Sequence, residues 1–268
     1  MQYTLGLIGG GNMAEAVVRA AIGGGVLEPA QMIVSDPTRD RRSLFRELGV
    51  EATEDNDRVC SQSEQIMLAV KPQKFSEIRD HLGRIDASEH VIISIMAGLQ
   101  SRVIAEAVGA GARVIRVMPN TPLLVGEGMA GICLGGAART GDEALALRVF
   151  GSAGRAVVIK EKLMDALTAV SGSGPAYLYY LAESMAEAAV SMGLSEENTE
   201  ILVKQTLLGA ARLLSKSGRD ARELRKRVTS PGGTTEAAVK HLDEHQVRRS
   251  IVEAIQQAEK RGRELGSV

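Results

Sequence analysis

Tryptophan is missing from this 268-residue chain, and Phe, Tyr and Trp together make up only 3% of it. A surface that reads single strands by stacking bases needs aromatic faces, so that class of function has no support. No charge of one sign dominates either: 32 basic residues face 33 acidic ones, for a formal net charge of −1. Without an excess of positive charge there is no electrostatic case for nucleic acid or an anionic membrane as partner. Cysteine is reduced to Cys60 and Cys133, far apart and without metal-ligand spacing, which excludes a disulfide framework and a zinc cluster. Two buried free thiols in a reducing compartment are expected instead. The four histidines, His81, His90, His241 and His245, fall in no motif, and no metal is expected. No apolar run is long enough to cross a bilayer. The first residues run straight into a strand pattern, without a basic n-region or an apolar h-region, so a cytoplasmic location is expected.

The core must therefore be built from Ala, Val, Leu, Ile and Met. Short apolar runs at residues 3–9, 31–35, 65–70, 91–95 and 113–117 read as strands. Helical patterns at 13–22, 38–48, 75–82 and 100–108 alternate with them. Further strands at 130–134 and 156–159 flank a helix at 141–151. Alternating strands and helices imply a parallel sheet covered on both faces. From Lys162 onward the strand signal disappears, and segments near 163–170, 175–192, 195–216, 219–228, 232–242 and 247–264 are all helical. The expected fold class is α/β: a Rossmann-type doubly wound parallel sheet over residues 1–160, followed by an all-α domain over 161–268. The stretch from Ala176 to Met192 is apolar almost all round, as expected of a helix buried against a partner subunit.

Gly9-Gly10-Gly11-Asn12-Met13-Ala14 fits G-x-G-x-x-A directly after the first strand and at the start of a helix. Gly9 permits the tight turn, Gly11 lets the backbone approach a pyrophosphate, and Ala14 allows close packing of helix on strand. Gly9, Gly11, Asn12 and Met13 are accordingly candidate cofactor contacts. The end of the second strand, Ser35-Asp36-Pro37-Thr38-Arg39, carries two opposed signals. Ser35, Thr38 and Arg39 can form a cup for the 2′-phosphate of NADPH, whereas Asp36 can accept the ribose hydroxyls of NADH or point away beside Pro37. NADPH is favoured, with NADH left open. Ligands of open α/β sheets lie beyond the carboxyl ends of the strands. Val70-Lys71-Pro72 and Ala97-Gly98 therefore border the cofactor. Asn120, between two prolines in Met118-Pro119-Asn120-Thr121-Pro122, can reach the nicotinamide ribose or the substrate, or serve as a structural turn.

The other informative segment is Ser230-Pro231-Gly232-Gly233-Thr234-Thr235, followed by a helix-forming run. Proline and two glycines set a sharp turn, and two hydroxyls then open a helix. The first turn of a helix has unpartnered N–H groups and the positive end of the helix dipole, so it receives a small anion, typically a carboxylate. A capped helix without a ligand has the same look. Ser171-Gly172-Ser173-Gly174-Pro175 interrupts a helical pattern, either as a close approach to a ligand or as a kink for packing.

Taken together, these segments and Arg116-Val117-Met118-Pro119-Asn120-Thr121-Pro122 resemble the pyrroline-5-carboxylate reductase family, in that family's order and over most of the chain. The resemblance implies a Rossmann domain, a helical domain that dimerises, and rings of five dimers, a homodecamer. It implies hydride transfer from NAD(P)H to the C=N carbon of 1-pyrroline-5-carboxylate, giving L-proline. It also assigns the substrate carboxylate to Ser230, Gly232, Gly233, Thr234 and Thr235, with Thr235 nearest the ring nitrogen. Asp36 departs from the family's common small polar residue there. The nearest rival, a β-hydroxyacid dehydrogenase, needs a lysine shortly after the glycine-rich kink, where this chain reads Pro-Ala-Tyr-Leu-Tyr-Tyr-Leu-Ala. A second rival, a nucleotide-sensing scaffold without turnover, needs the cofactor turn but not the carboxylate cradle.

Overall fold

The computed structural model describes residues 1–266, in two compact units: Met1–Ser173 joined by the chain from Ala258 on, and Gly174–Gln257. The first unit is a single eight-stranded sheet. In chain order its elements are β1 (Tyr3–Ile8), α1 (Asn12–Gly23), β2 (Met32–Ser35), α2 (Arg39–Glu47), β3 (Glu51–Thr53), α3 (Asn56–Gln62) and β4 (Ser63–Leu68). There follow α4 (Phe75–Leu82), β5 (Val91–Ser94), α5 (Ser101–Val108), β6 (Arg113–Pro119), β7 (Gly128–Leu134), α6 (Ala144–Ser152), β8 (Gly154–Val158) and α7 (Met164–Leu167). The strand order is β3-β2-β1-β4-β5-β6-β7-β8, so the chain reverses direction across the sheet between β1 and β4.

The central strands are apolar on both sides because helices cover both faces. Met32, Val34, Met67, Ile93 and Ile115 point into one core with Val17, Phe45 and Phe150. The alternate residues Ile33, Ile66, Leu68, Ile92 and Val114 point into a second core with Ile78, Leu82 and Ile104. Each fully buried side chain of this size contributes about 1.5–3 kcal/mol.

β7 departs from the expected parallel sheet. It runs antiparallel to β6, pairing Val117 with Ile132, and β8 follows parallel to β7. The link is a 3-10 turn, Thr121–Val125, closed by Gly126 in the left-handed region at φ 75°; no crossover helix intervenes. Sequence periodicity also passes over β3 and α3. β3 has three residues, and only Ala52 is buried among them, so no apolar run announces it. α3 begins where the Asp55 carboxylate accepts the Asp57 and Arg58 amides.

After α7 the helix widens into a π-turn, Thr168–Gly172. Here the Ser173 amide donates to the Thr168 carbonyl, one residue beyond α-helical spacing. Gly172 lies against the sheet: a Cβ there would fall 2.8 Å from Met118 Cε. The first compact unit therefore extends past the end of the strands, to Ser173. Packing against β6 accounts for this glycine.

The second unit contains α8 (Gly174–Ser191), α9 (Glu196–Lys216), α10 (Ala221–Arg227), α11 (Thr234–Glu244) and the first part of α12 (Val247–Leu265). Ser195 caps α9 and Asp220 caps α10 through side-chain oxygens on backbone amides. Among its residues only Ala189, Thr199 and Val203 are buried. Tyr180 (74% exposed), Ile201 (60%) and Leu213 (54%) stand open to solvent. Three buried residues cannot offset the conformational entropy of this many ordered ones, so a second surface must cover these faces.

Thermal stability should accordingly rise with protein concentration. Tyr180→Asp or Ile201→Asp should lower Tm and shift sedimentation to a smaller species. Phe150→Ala, in the sheet core, should cost about 3–5 kcal/mol without changing the sedimenting species.

Candidate functional site

The turn after β1 is stitched to its neighbours. Gly9 adopts φ +99°, and a Cβ there would lie 2.9 Å from the Ala69 carbonyl carbon and oxygen. Its amide donates to the Ser35 carbonyl at 2.9 Å. Gly11 is the N-cap of α1 and no side chain caps the helix. Nothing lies within 4 Å of where a Gly11 Cβ would be. A helix start with uncapped amides and open space before it is a fitting cradle for a pyrophosphate. Asn12 and Met13 supply the first helical amides.

Beside this turn a cavity of about 390 Å³ is lined by Gly9, Gly11, Asp36, Asn56, Val70 and Lys71, among others. Ser35 borders it, but its hydroxyl is buried and donates to Asn56 Oδ1 at 2.6 Å. Thr38 and Arg39 are exposed at the start of α2, and their side chains make no hydrogen bond or ion pair among the described residues. Asp36 turns back toward the glycines: Oδ2 accepts from the Gly10 amide and Oδ1 from the Thr38 amide, each at 2.8 Å. Arg41 and Arg42 are tied down as well. Arg41 Nε donates to the Gly10 carbonyl and its Nη2 to Glu15, while Arg42 donates to the Asp36 and Pro37 carbonyls.

Lys71 is exposed and precedes the 3-10 turn Pro72–Lys74, with Val70 half-buried at the end of β4. Ala97 is exposed, while Gly98 is buried under the end of α12: a Cβ there would meet Leu265 Cβ at 3.3 Å. Asn120 spends its amide internally. Its Nδ2 donates to the Ser171 carbonyl at 3.1 Å, and its Oδ1 accepts from the Met129 amide at 2.8 Å. The side chain thus joins the end of β6, the start of β7 and the π-turn.

In the helical unit, the turn before α11 is tied back to the helix from both sides of its N-cap, Gly233, whose own amide donates to the Ser230 carbonyl at 3.0 Å. Gly232 is left-handed at φ +71°. Its amide donates to the carboxylate of Glu236, the third residue of the helix, at 2.7 Å. No side-chain oxygen on the N-cap reaches the helix amides, because the N-cap is Gly233. A Cβ at Gly233 would fall 2.5 Å from Ser230 Oγ, so a larger residue there would push that hydroxyl aside. The first amides of α11 therefore keep no side-chain cap, with the Ser230 hydroxyl alongside. Thr234 is exposed and Thr235 half-buried, and neither hydroxyl is hydrogen-bonded among the described residues.

Sequence reasoning missed Asn56, which lines the cavity and holds Ser35. The N-cap signal at Asp55 was the clue available. The cysteines are chemically quiet: burial pushes Cys60 up to about 12 and Cys133 up to about 11. No group of three or more metal-ligating side chains occurs among the described residues, and no described helix is long and apolar enough to cross a membrane.

Burial acts to raise the Glu15 carboxyl. The hydrogen bonds from Arg19 and Arg41 outweigh it, and the group lies below its ordinary range. A lowered folded-state pKa gives stability that is present above the unfolded pKa and lost as pH falls through the folded one. Glu15→Gln should therefore melt below the wild type at neutral pH, and the two curves should converge in acid.

A family model described as pyrroline-5-carboxylate reductase dimerisation matches residues 161–265, and one described as NADP oxidoreductase, coenzyme F420-dependent, matches residues 4–98. The chain is 38% identical to a pyrroline-5-carboxylate reductase of Pisum sativum, over 98% of its own length and 96% of the relative's. It is 38% identical to that of Haemophilus influenzae, over 99% and 98% of the two chains. A crystal structure of Plasmodium falciparum pyrroline carboxylate reductase with NADP bound superposes with a TM-score of 0.88 at 30% identity, covering 99% of both chains. With a G-x-G-x-x-A turn at the end of β1, an uncapped helix start at α11 and relatives of this identity over nearly the whole length, the chain belongs to the pyrroline-5-carboxylate reductase family.

Proposed function

We propose that this chain is an NADPH-dependent oxidoreductase that reduces 1-pyrroline-5-carboxylate to L-proline, the last step of proline biosynthesis. The observation that carries the reading is the uncapped start of α11, with the preceding turn tied back through Gly232 to Glu236. Its backbone turn is fixed from one side, while the helix amides face outward without a partner. A substrate with a carboxylate fits that arrangement, and the uncapped start of α1 fits a dinucleotide.

The division of labour is a nucleotide-binding half over residues 1–160 and a helical half over 161–268. The former holds the cofactor through Gly9, Gly11, Asn12 and Met13, with Val70, Lys71, Pro72, Ala97 and Gly98 around it. Thr38 and Arg39 meet the 2′-phosphate of NADPH. Ser35 and Asn120 act through their neighbours, because their polar atoms are already committed to Asn56, Ser171 and Met129. NADPH supplies the hydride when bound.

The helical half clamps the substrate carboxylate at the Gly232–Gly233–Thr234 backbone and the Ser230 hydroxyl, fixing one end of the ring. A protonated cyclic imine is already a good electrophile, so the protein's work is mainly orientation. The Thr235 hydroxyl, free of internal partners, hydrogen-bonds the ring nitrogen as its charge changes. An aliphatic hydroxyl titrates far from neutral pH, so Thr235 stabilises rather than exchanges the proton. The chain works as a homo-oligomer: the open apolar faces of the helical unit and its match to a dimerisation family support a dimer. Five such dimers assemble into a decamer in the cytoplasm.

Initial-rate oxidation of NADPH, and separately of NADH, with 1-pyrroline-5-carboxylate tests the reading. Imine-dependent oxidation with proline as product is expected. Absence of turnover with either nucleotide, in folded and oligomeric protein, removes the assignment and brings the nucleotide-sensing scaffold forward. Thr235→Ala should lower kcat by about 10–100-fold without abolishing it, and Ser230→Ala should act mainly on the KM of the imine. Full activity in Thr235→Ala excludes Thr235 from the mechanism.

A further inference from the structure

The end of β2 is where dinucleotide enzymes tell the two nicotinamide cofactors apart, and an aspartate there ordinarily reads the ribose hydroxyls. In this chain the carboxylate of Asp36 has other partners. One oxygen accepts from the Gly10 amide and the other from the Thr38 amide, both at 2.8 Å. The Gly10 carbonyl is held from the opposite direction by Arg41, which is itself steadied by Glu15 at 2.9 Å and lies over the Phe45 ring at 5.6 Å. Gly9, one residue earlier, is bonded to Ser35. Three backbone groups of the turn, the Gly9 amide, the Gly10 amide and the Gly10 carbonyl, are thereby fixed by the end of β2 and the start of α2.

Packing tells the same story. A Cβ on Gly10 would fall 2.9 Å from Phe45 Cε2 and 3.0 Å from Asp36 Cβ. The middle position of the fingerprint is glycine here because Asp36 and Phe45 press against it. Meanwhile the side chains of Thr38 and Arg39, the groups able to meet a phosphate, have no hydrogen bond or ion pair among the described residues.

We infer that Asp36 is a positioning residue for the pyrophosphate turn and not the reader of the ribose, so that the choice of cofactor lies with Thr38 and Arg39. The inference rests on the assignment of this turn to a dinucleotide. It explains how an aspartate stands at the cofactor-discriminating position of a chain that uses NADPH: its charge is consumed by two backbone amides. Arg41 is the second jaw of the same clamp. Since both grip the one Gly10 peptide neighbourhood, their removals should be less than additive.

Calorimetric titration of NADP⁺ and of NAD⁺ into the full-length protein and its Asp36→Ala and Asp36→Asn variants tests this. Losing two charge-assisted bonds should weaken both nucleotides together by about tenfold or more in Asp36→Ala, with the ratio of their affinities held within about threefold. Asp36→Asn, which retains one acceptor oxygen, should fall between, and it carries the test if Asp36→Ala does not fold. In turnover the loss should appear in the KM for NADPH and not in kcat. Amide hydrogen exchange across Gly9–Met13 should accelerate in the ligand-free variants, a readout that needs neither cofactor nor substrate. Selective loss of NAD⁺ with NADP⁺ unchanged or tightened would overturn the inference, as would unaltered binding together with unaltered exchange. Failure of the wild type to bind either nucleotide removes the cofactor assignment itself, and this inference with it.

Discussion

Because so few side chains in Gly174–Gln257 are buried, hydrophobic stabilisation of that unit has to come from surface supplied by another molecule. The uncapped helix start before α11 lies within this unit, so the turn proposed to hold the carboxylate belongs to the part of the chain with the least interior of its own. The sheet unit has the opposite character, with two apolar cores of its own, one on each face. The chain divides its physical requirements accordingly: the glycine turn after β1 rests on an interior made within one chain, whereas the turn before α11 belongs to a unit with little interior of its own.

Both turns use the same chemistry, backbone amides at a helix start left free of side-chain caps. In each, glycine at the N-cap removes the oxygen that would otherwise satisfy those amides, and a carboxylate secures the adjacent peptide instead. Asp36 does this for Gly10, and Glu236 for Gly232. The binding surface is therefore neutral peptide dipole rather than mobile cation, which suits anions that must be held in one orientation.

Much of this was legible from the residues. Alternation of short apolar runs with helical periods located the long elements, and the spacing of Gly9, Gly11 and Ala14 located the first turn. What stayed hidden has a common cause: its determinants are tertiary. β3 is three residues with one buried side chain, so it carries no periodic signal. The reversal of β7 depends on a 3-10 turn ending at a left-handed Gly126, and its apolar run reads the same in either direction. The π-turn differs from a helix by one hydrogen-bond step, and Asn120 on the far side of the strand completes it. Whether Asp36 faced ribose or backbone was open in the sequence because both readings use the same residue at the same position. Arg41 and Arg42 hold carbonyls of the adjoining turns, contacts that exist only once the turns are folded and leave no mark in the residue pattern.

The return of α12 to the sheet unit has its own consequence. Gly262 lies over Asp165, and Leu265 covers Gly98, so the last helical turns belong with residues 97 and 167 positions earlier in the chain. The helical unit is thus an insertion anchored at both ends, not an appendage hung from one. A truncation that removed the last two turns of α12 would uncover Gly98 and Asp165, so its damage would fall on the sheet unit that the tail returns to and not on the helical unit it leaves.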